Sequence, residues 1–255
     1  QAIKFFEKSS QRSALSHYGC PYQSLGVVYT KIGIPSLAEN NFLEVIKLEP
    51  FGFRGYYDLG QYYYEIGKLD KANDNIEKAL SLTTNDLNRR MALGLKGFIY
   101  ILRREYDAAE QIFKDLEKKY GVSPSSSVGL GHIQIVRKDY PSARAYFEEA
   151  IKEDYEEIGD INLKMAYLGL AWVNANEDKH RESIKYYAEV LESDSINMLA
   201  LLGMGNAYNW LGEYDQAESY FRRVLKLEPD NEYALAELGT VYLSRGNSQK
   251  SEKLL

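Results

Sequence analysis

Between Leu201 and Tyr208, apolar and small residues fall at Leu201, Met204, Gly205 and Tyr208. Steps of three, one and three keep these positions on one face of an α-helix. A glycine at position 212 ends that run. A second helix then carries Ala217 and Phe221 on its apolar face and is stopped by Pro229. The pattern predicts a helical hairpin. The same grammar governs Ile32 to Phe51, "IGIPSLAENNFLEVIKLEPF", and several stretches between.

Two ladders of positions establish the recurrence. The small residue of each second helix falls at Ala38, Ala72, Ala109, Ala143, Ser183, Ala217 and Ser251, at intervals of 34, 37, 34, 40, 34 and 34. The small residue of each first helix falls at Gly26, Gly60, Gly97, Gly131, Ala171, Gly205 and Gly239, with the same intervals. A large residue follows each second-helix small one, at Phe42, Ile76, Phe113, Phe147, Tyr187, Phe221 and Leu255. The physical sense is that a small residue lets the partner helix approach and a large one fills the space beside it. One hairpin cannot bury its apolar face alone, whereas stacked hairpins can.

On these residues the chain resembles the tetratricopeptide-repeat family, whose unit is a 34-residue helix-turn-helix. The repeat at 198–231 carries the pattern best, through Leu201, Met204, Gly205, Tyr208, Ala217, Phe221 and Pro229. The resemblance implies an all-α, right-handed superhelical solenoid over residues 1–255. Full repeats are expected at 19–52, 53–86, 90–123, 124–157, 164–197 and 198–231, with partial repeats at 1–18 and 232–255. Short insertions at Leu87 to Arg89 and Ile158 to Leu163 are expected to extend turns or helix starts, with Asp160 capping the second. Lys96, Ser127, Gln134 and Asn174 stand where large residues are usual, so looser packing is expected there. The stretch "GVSPSSSVG", Gly121 to Gly129, reads as a turn and a late helix start, not a domain linker. No polar capping helix is visible at either end, which is expected of a piece of a longer solenoid. The uncapped faces carrying Phe5 and Phe6, and Leu254 and Leu255, are expected to favour self-association.

Composition narrows the function. The 255 residues are 45% apolar and 27% charged, an ordinary globular balance. A formal net charge of -6 argues against a nucleic-acid partner, which needs basic residues to neutralise phosphates. One cysteine, Cys20, leaves no intrachain disulfide and no cysteine-based zinc site. Cytoplasmic and periplasmic locations stay open. The most apolar run, Met91 to Leu102, contains a lysine and falls short of the roughly 18 residues a membrane span needs. The 22 tyrosines suit half-buried helix seams and binding faces alike.

Candidate chemistry is sparse. His17, His132 and His180 sit in different repeats at different repeat positions, without metal-ligand spacing. His180 takes the place of Tyr106, Tyr140 and Tyr214 and reads as a seam residue. There is no Gly-rich phosphate loop, no cofactor motif and no convergent catalytic group, so the chain is expected to bind and not to catalyse.

The resemblance implies that first helices line a concave face where partners lie. Spacing then assigns Arg54, Tyr57, Gln61 and Tyr64 to that face, followed by Met91, Gly94, Phe98 and Ile101. Val128, His132 and Ile135 come next, then Met165, Leu168 and Trp172, and last Leu199, Leu202, Asn206 and Asn209. Around Phe98, His132 and Trp172 the first helices are apolar on both faces. A contiguous exposed apolar patch marks an interaction site. Phe98, His132 and Trp172 are therefore the expected anchors, with Arg54 and Asn206 as polar rim. The lysine–asparagine carboxylate clamp of chaperone-binding members is absent, since Gln23, Val27, Tyr57 and Gln61 hold its places. The asparagine ladder of sugar-transferase members is also absent. The expected function is a scaffold for a partner protein or peptide. The alternative is a non-catalytic arm of a larger enzyme or of a secretion or transport machine.

Overall fold

The computed structural model describes residues 20–152 and 161–247. The expected partial repeat at 1–18, Asp160, Ser251, Leu254 and Leu255 lie outside these. The described residues form an all-α helical-repeat solenoid. They divide into two compact units, one ending at Val122 and one beginning at Ser123. The first unit holds α1 (Cys20–Lys31), α2 (Pro35–Leu48), α3 (Phe53–Glu65), α4 (Leu69–Ser81), α5 (Asp86–Leu102) and α6 (Tyr106–Tyr120). The second holds α7 (Pro124–Val136), α8 (Tyr140–Lys152), α9 (Ile161–Asn176), α10 (His180–Ser193), α11 (Met198–Trp210), α12 (Tyr214–Leu227) and α13 (Glu232–Ser244). Inside each unit every helix packs on the next. The odd-numbered helices, first in each hairpin, also touch one another in succession. That pattern is a one-dimensional stack, and it gives each unit a face made of first helices.

The two ladders are the seams of this stack. Ala38, Ala72, Ala109, Ala143, Ser183 and Ala217 are all fully buried. The glycines face the large residues: a Cβ at Gly97 would sit 2.5 Å from Phe113, and one at Gly205 2.6 Å from Phe221. Only hydrogen in place of a side chain permits that approach.

A third ladder becomes visible in the turns. A left-handed residue follows each first helix, at Gly33, Gly67, Arg104, Lys138, Asp178, Gly212 and Gly246. It keeps the same 34-residue rhythm with the same interruptions. In the sixth hairpin the backbone N–H of Gly212 donates to Asn209 (3.0 Å) and that of Glu213 donates to Tyr208 (2.9 Å). Such bonds satisfy the last carbonyls of the helix.

Helix starts follow local chemistry. Asn85, Ser123, Asn197 and Asn231 each accept from the backbone N–H three positions into their helix. The insertion at Leu87 to Arg89 lengthens α5 to 17 residues. The serine run is a correction to the expected late helix start. Ser123 and Ser126 close a capping box around Pro124, so α7 begins at once and the serines are helical. The unusual polar residues are accommodated individually. Lys96 Nζ lies 2.5 Å from Glu77 Oε1. Buried Asn174 donates to the Leu170 carbonyl (2.7 Å) and accepts from Arg144 Nη1 (3.1 Å). Ser127 is buried with its hydroxyl unbonded.

Candidate functional site: an aromatic cleft in the second unit

Two first helices of the second unit, α9 and α11, run side by side. On α11 the positions Leu199, Leu202, Asn206 and Trp210 share a stripe. Leu199 is 66% exposed and Trp210 is 74% exposed. On α9 the corresponding stripe is Met165, Leu168 and Trp172. Trp172 is 38% exposed, while Leu168 packs at the margin of the core. Both tryptophans of the chain thus sit on neighbouring helices of one face.

Between them lies a cleft of about 390 Å³. It exists because its floor is small: Ala175, Gly203 and Ala207 contribute almost no side chain, and Tyr187 lies beneath. Gly203 could not be larger, since a Cβ there would fall 2.2 Å from the Tyr187 ring. The volume suits a few side chains, at the lower end of small-ligand pockets.

Each tryptophan is buttressed. Trp172 meets the edge of Tyr140 at 5.8 Å between ring centroids. Trp210 stacks on His180 at 5.6 Å with planes 9° apart. His180 opens α10, where the left-handed Asp178 delivers the chain. Its Nε2 lies 3.9 Å from Asp178 Oδ1, and its Nδ1 is sealed without a hydrogen bond. Asn206 Nδ2 donates to the Tyr233 hydroxyl (2.7 Å), while its Oδ1 is sealed and unbonded. Burial pushes the Tyr187 hydroxyl up to about 12. Arg144 holds the end of α9 from below through Asn174 and Glu177 (2.6 Å). Lys179 and Arg144 keep the Glu177 carboxyl below its ordinary value. The cleft combines apolar aromatic walls with a few fixed polar atoms. Among the described residues, no three His, Cys, Asp or Glu gather as a metal-ligand group. No described helix is long and apolar enough to cross a membrane.

The expected site residues separate on this geometry. Trp172 and Asn206 line the cleft together, with Leu202 and Asn209 half-buried on the same helix as Asn206. Val128 is a correction: it is fully buried and offers a partner no surface. Gly94 is buried as well. His132 packs edge-on against Phe147 at 5.3 Å, its Nε2 sealed and unbonded. Burial holds its imidazole down at about 4, so it is a neutral packing residue and not the adaptable polar contact expected. Ile135 is half-buried on the same helix.

In the first unit Phe98 and Ile101 are half-buried, with the Phe98 ring edge-on to Phe113 at 5.4 Å. Phe98 is therefore largely a seam ring. Arg54 is exposed, Tyr57 stacks on Phe53 at 5.4 Å, and Gln61 and Tyr64 are half-buried. His180 and Trp210 were not expected at a site. Trp210 lies four residues after Asn206, so the helical stripe through Asn206 reaches it when extended by one turn.

Comparison with known proteins accords with this architecture. Models of the tetratricopeptide repeat match residues 53–86, 100–157 and 199–231. The chain is 27% identical to the Protein CTR9 homolog of Arabidopsis thaliana over 191 residues, covering 74% of this chain and 15% of that protein. It is 25% identical to the chloroplastic tetratricopeptide repeat domain-containing protein PYG7 of the same plant over 198 residues, covering 75% of this chain and 58% of that protein. The chain therefore spans less than two thirds of either relative. Among solved structures, the Cut9–Hcn1 hetero-tetramer of the APC/C superposes with a TM-score of 0.76 at 13% identity. That match covers 94% of this chain and 46% of the other, and it speaks to the fold alone. Three interlocking ladders, the hairpin stack and the matching repeat models together place this chain in the tetratricopeptide-repeat family.

Proposed function

We propose that the chain is a protein-interaction scaffold whose second unit grips a segment of a partner polypeptide. An apolar side chain of the partner seats in the cleft between Trp172 and Trp210. The observation that carries this reading is the convergence of both tryptophans on one cleft, where each is exposed yet held by an aromatic neighbour. An exposed tryptophan costs solubility, and interfaces are where such side chains are concentrated. Leu199 and Leu202 extend the apolar track along α11, and the Nδ2 hydrogen of Asn206 not given to Tyr233 supplies a directional polar contact. The apolar walls predict affinity that depends weakly on salt.

The test begins with peptides selected by display on the whole chain, then measured against Trp172→Ala and Trp210→Ala. Truncating an aromatic anchor costs about 2 kcal/mol or more, roughly a thirtyfold rise in Kd. Trp210 is mostly exposed, so its removal should leave stability within about 0.5 kcal/mol. Selected peptides that bind both variants as tightly as the parent would refute the site.

A further inference from the structure

The face of first helices in the first unit has a different chemistry. Asp58 on α3 has a side chain only 10% exposed. Its Oδ1 lies 3.5 Å from Arg54 Nε, but its Oδ2 is sealed and makes no hydrogen bond. A buried carboxylate with an idle oxygen is expensive to keep. Burial raises this carboxyl to about 6, against the opposing pull of Arg54 and Gln23.

Asp58 lines a cleft of about 140 Å³ between α1 and α3, with Phe42 and Tyr62 as its apolar wall. The donors around it are already committed. Thr30 Oγ1 donates to the Gly26 carbonyl (2.9 Å), and Gln61 Nε2 donates to Glu65 Oε1 (3.1 Å). Apart from the second N–H of Gln61, the capacity left to Thr30, Gln61, Glu65 and Asp58 is acceptor capacity. Lys31 is the cation on the rim, and it is exposed.

We propose that this cleft seats the guanidinium of an arginine side chain from a bound polypeptide. A planar fork of five N–H donors matches several converging acceptors, and its flat faces tolerate an aromatic wall. A lysine ammonium is a compact, strongly hydrated point charge and uses such a set less well. The inference is independent of the second-unit cleft, because Asp58 and the tryptophans lie in different units.

The experiment is calorimetric titration of the whole chain with the tripeptide acetyl-Gly-Arg-Gly-amide. Its citrulline counterpart has the same shape without the charge, and a lysine counterpart has the charge without the fork. The arginine peptide should bind saturably with Kd on the order of 1 mM, and the other two at least tenfold more weakly. Asp58→Asn should weaken the arginine peptide at least tenfold without lowering the melting temperature. Should that variant fold poorly, Glu65→Gln on the exposed end of α3 carries the test, with an expected loss of threefold or more. Tryptophan emission should stay constant throughout. Equal binding of the citrulline or lysine peptide, undiminished binding by the variants, or an emission change that tracks the titration would overturn the proposal.

Discussion

Acid should loosen the second unit through one residue, His132. Burial lowers this imidazole from 6.5 to about 4, so the folded protein binds its proton less readily than the unfolded chain does. Stability from this group is complete above the unfolded value. It is lost as pH falls below 6.5 towards the folded value of about 4. About 2.5 units at 1.36 kcal/mol each gives about 3.4 kcal/mol in the limit, and about 2.5 kcal/mol by pH 4.5. Part of the His132 residue still reaches solvent, which trims the expected loss to about 2 kcal/mol. His132→Phe keeps a ring against Phe147 and removes both the titration and the unbonded Nε2. The variant should therefore match or exceed the parent at pH 7, by up to about 1 kcal/mol. Its advantage should widen by about 2 kcal/mol at pH 4.5. Urea unfolding followed by tryptophan emission is the suitable assay, because Trp172 and Trp210 both report on the unit containing His132. Carboxylates titrate in parent and variant alike, so the difference between them isolates the histidine. A difference that stays constant between pH 7 and pH 4.5 would refute the reasoning.

Asp58→Asn should act in the opposite sense on the first unit. The carboxyl is raised from 3.8 to about 6, so its contribution is most favourable below 3.8 and is lost as pH rises through 6. The variant should gain about 2 kcal/mol at pH 7 and nothing below pH 4, measured by chemical denaturation and circular dichroism. Gly205→Ala places a Cβ 2.6 Å from the fully buried Phe221 ring. It should cost about 1–2 kcal/mol by denaturation despite the better helix propensity of alanine. Lys138→Gly relieves a left-handed φ of 61° and should raise stability by about 0.5–1 kcal/mol in calorimetry. A loss of stability there would contradict the turn ladder.

The repeat was legible because its determinants are local and periodic. Gly205 opposite Phe221, and Gly97 opposite Phe113, follow from the need of two helices to approach, and that need recurs at every copy. The turn ladder was harder to see because Arg104, Lys138 and Asp178 occupy left-handed positions that composition alone would give to glycine. The serine run misled because capping depends on which serine precedes Pro124, a detail below the resolution of periodicity. The site was half legible. Spacing put Trp172 and Asn206 on the face expected to bind, but whether a residue on that face is open depends on its neighbours. Val128 and His132 share the spacing, yet Val128 is fully buried and the His132 Nε2 is sealed. The cleft opens where Ala175, Gly203 and Ala207 happen to coincide across two helices. Trp210 went unassigned because the expected stripe turns to Asn209 after Asn206, whereas the step of four from Asn206 reaches Trp210 at the end of α11. Asp58 lies beside Tyr57, one position off the assigned face, and spacing within α3 carries no sign of the pocket around it.

The most direct measurement follows from the placement of the two tryptophans. Both lie in the cleft and neither lies in the first unit, so their emission is a private reporter of its occupancy. Titrating the whole chain with a display-selected peptide should shift that emission to the blue and shield both rings from acrylamide, with the same Kd as calorimetry. Saturable calorimetric binding with emission and quenching unchanged would place the partner elsewhere and contradict the account.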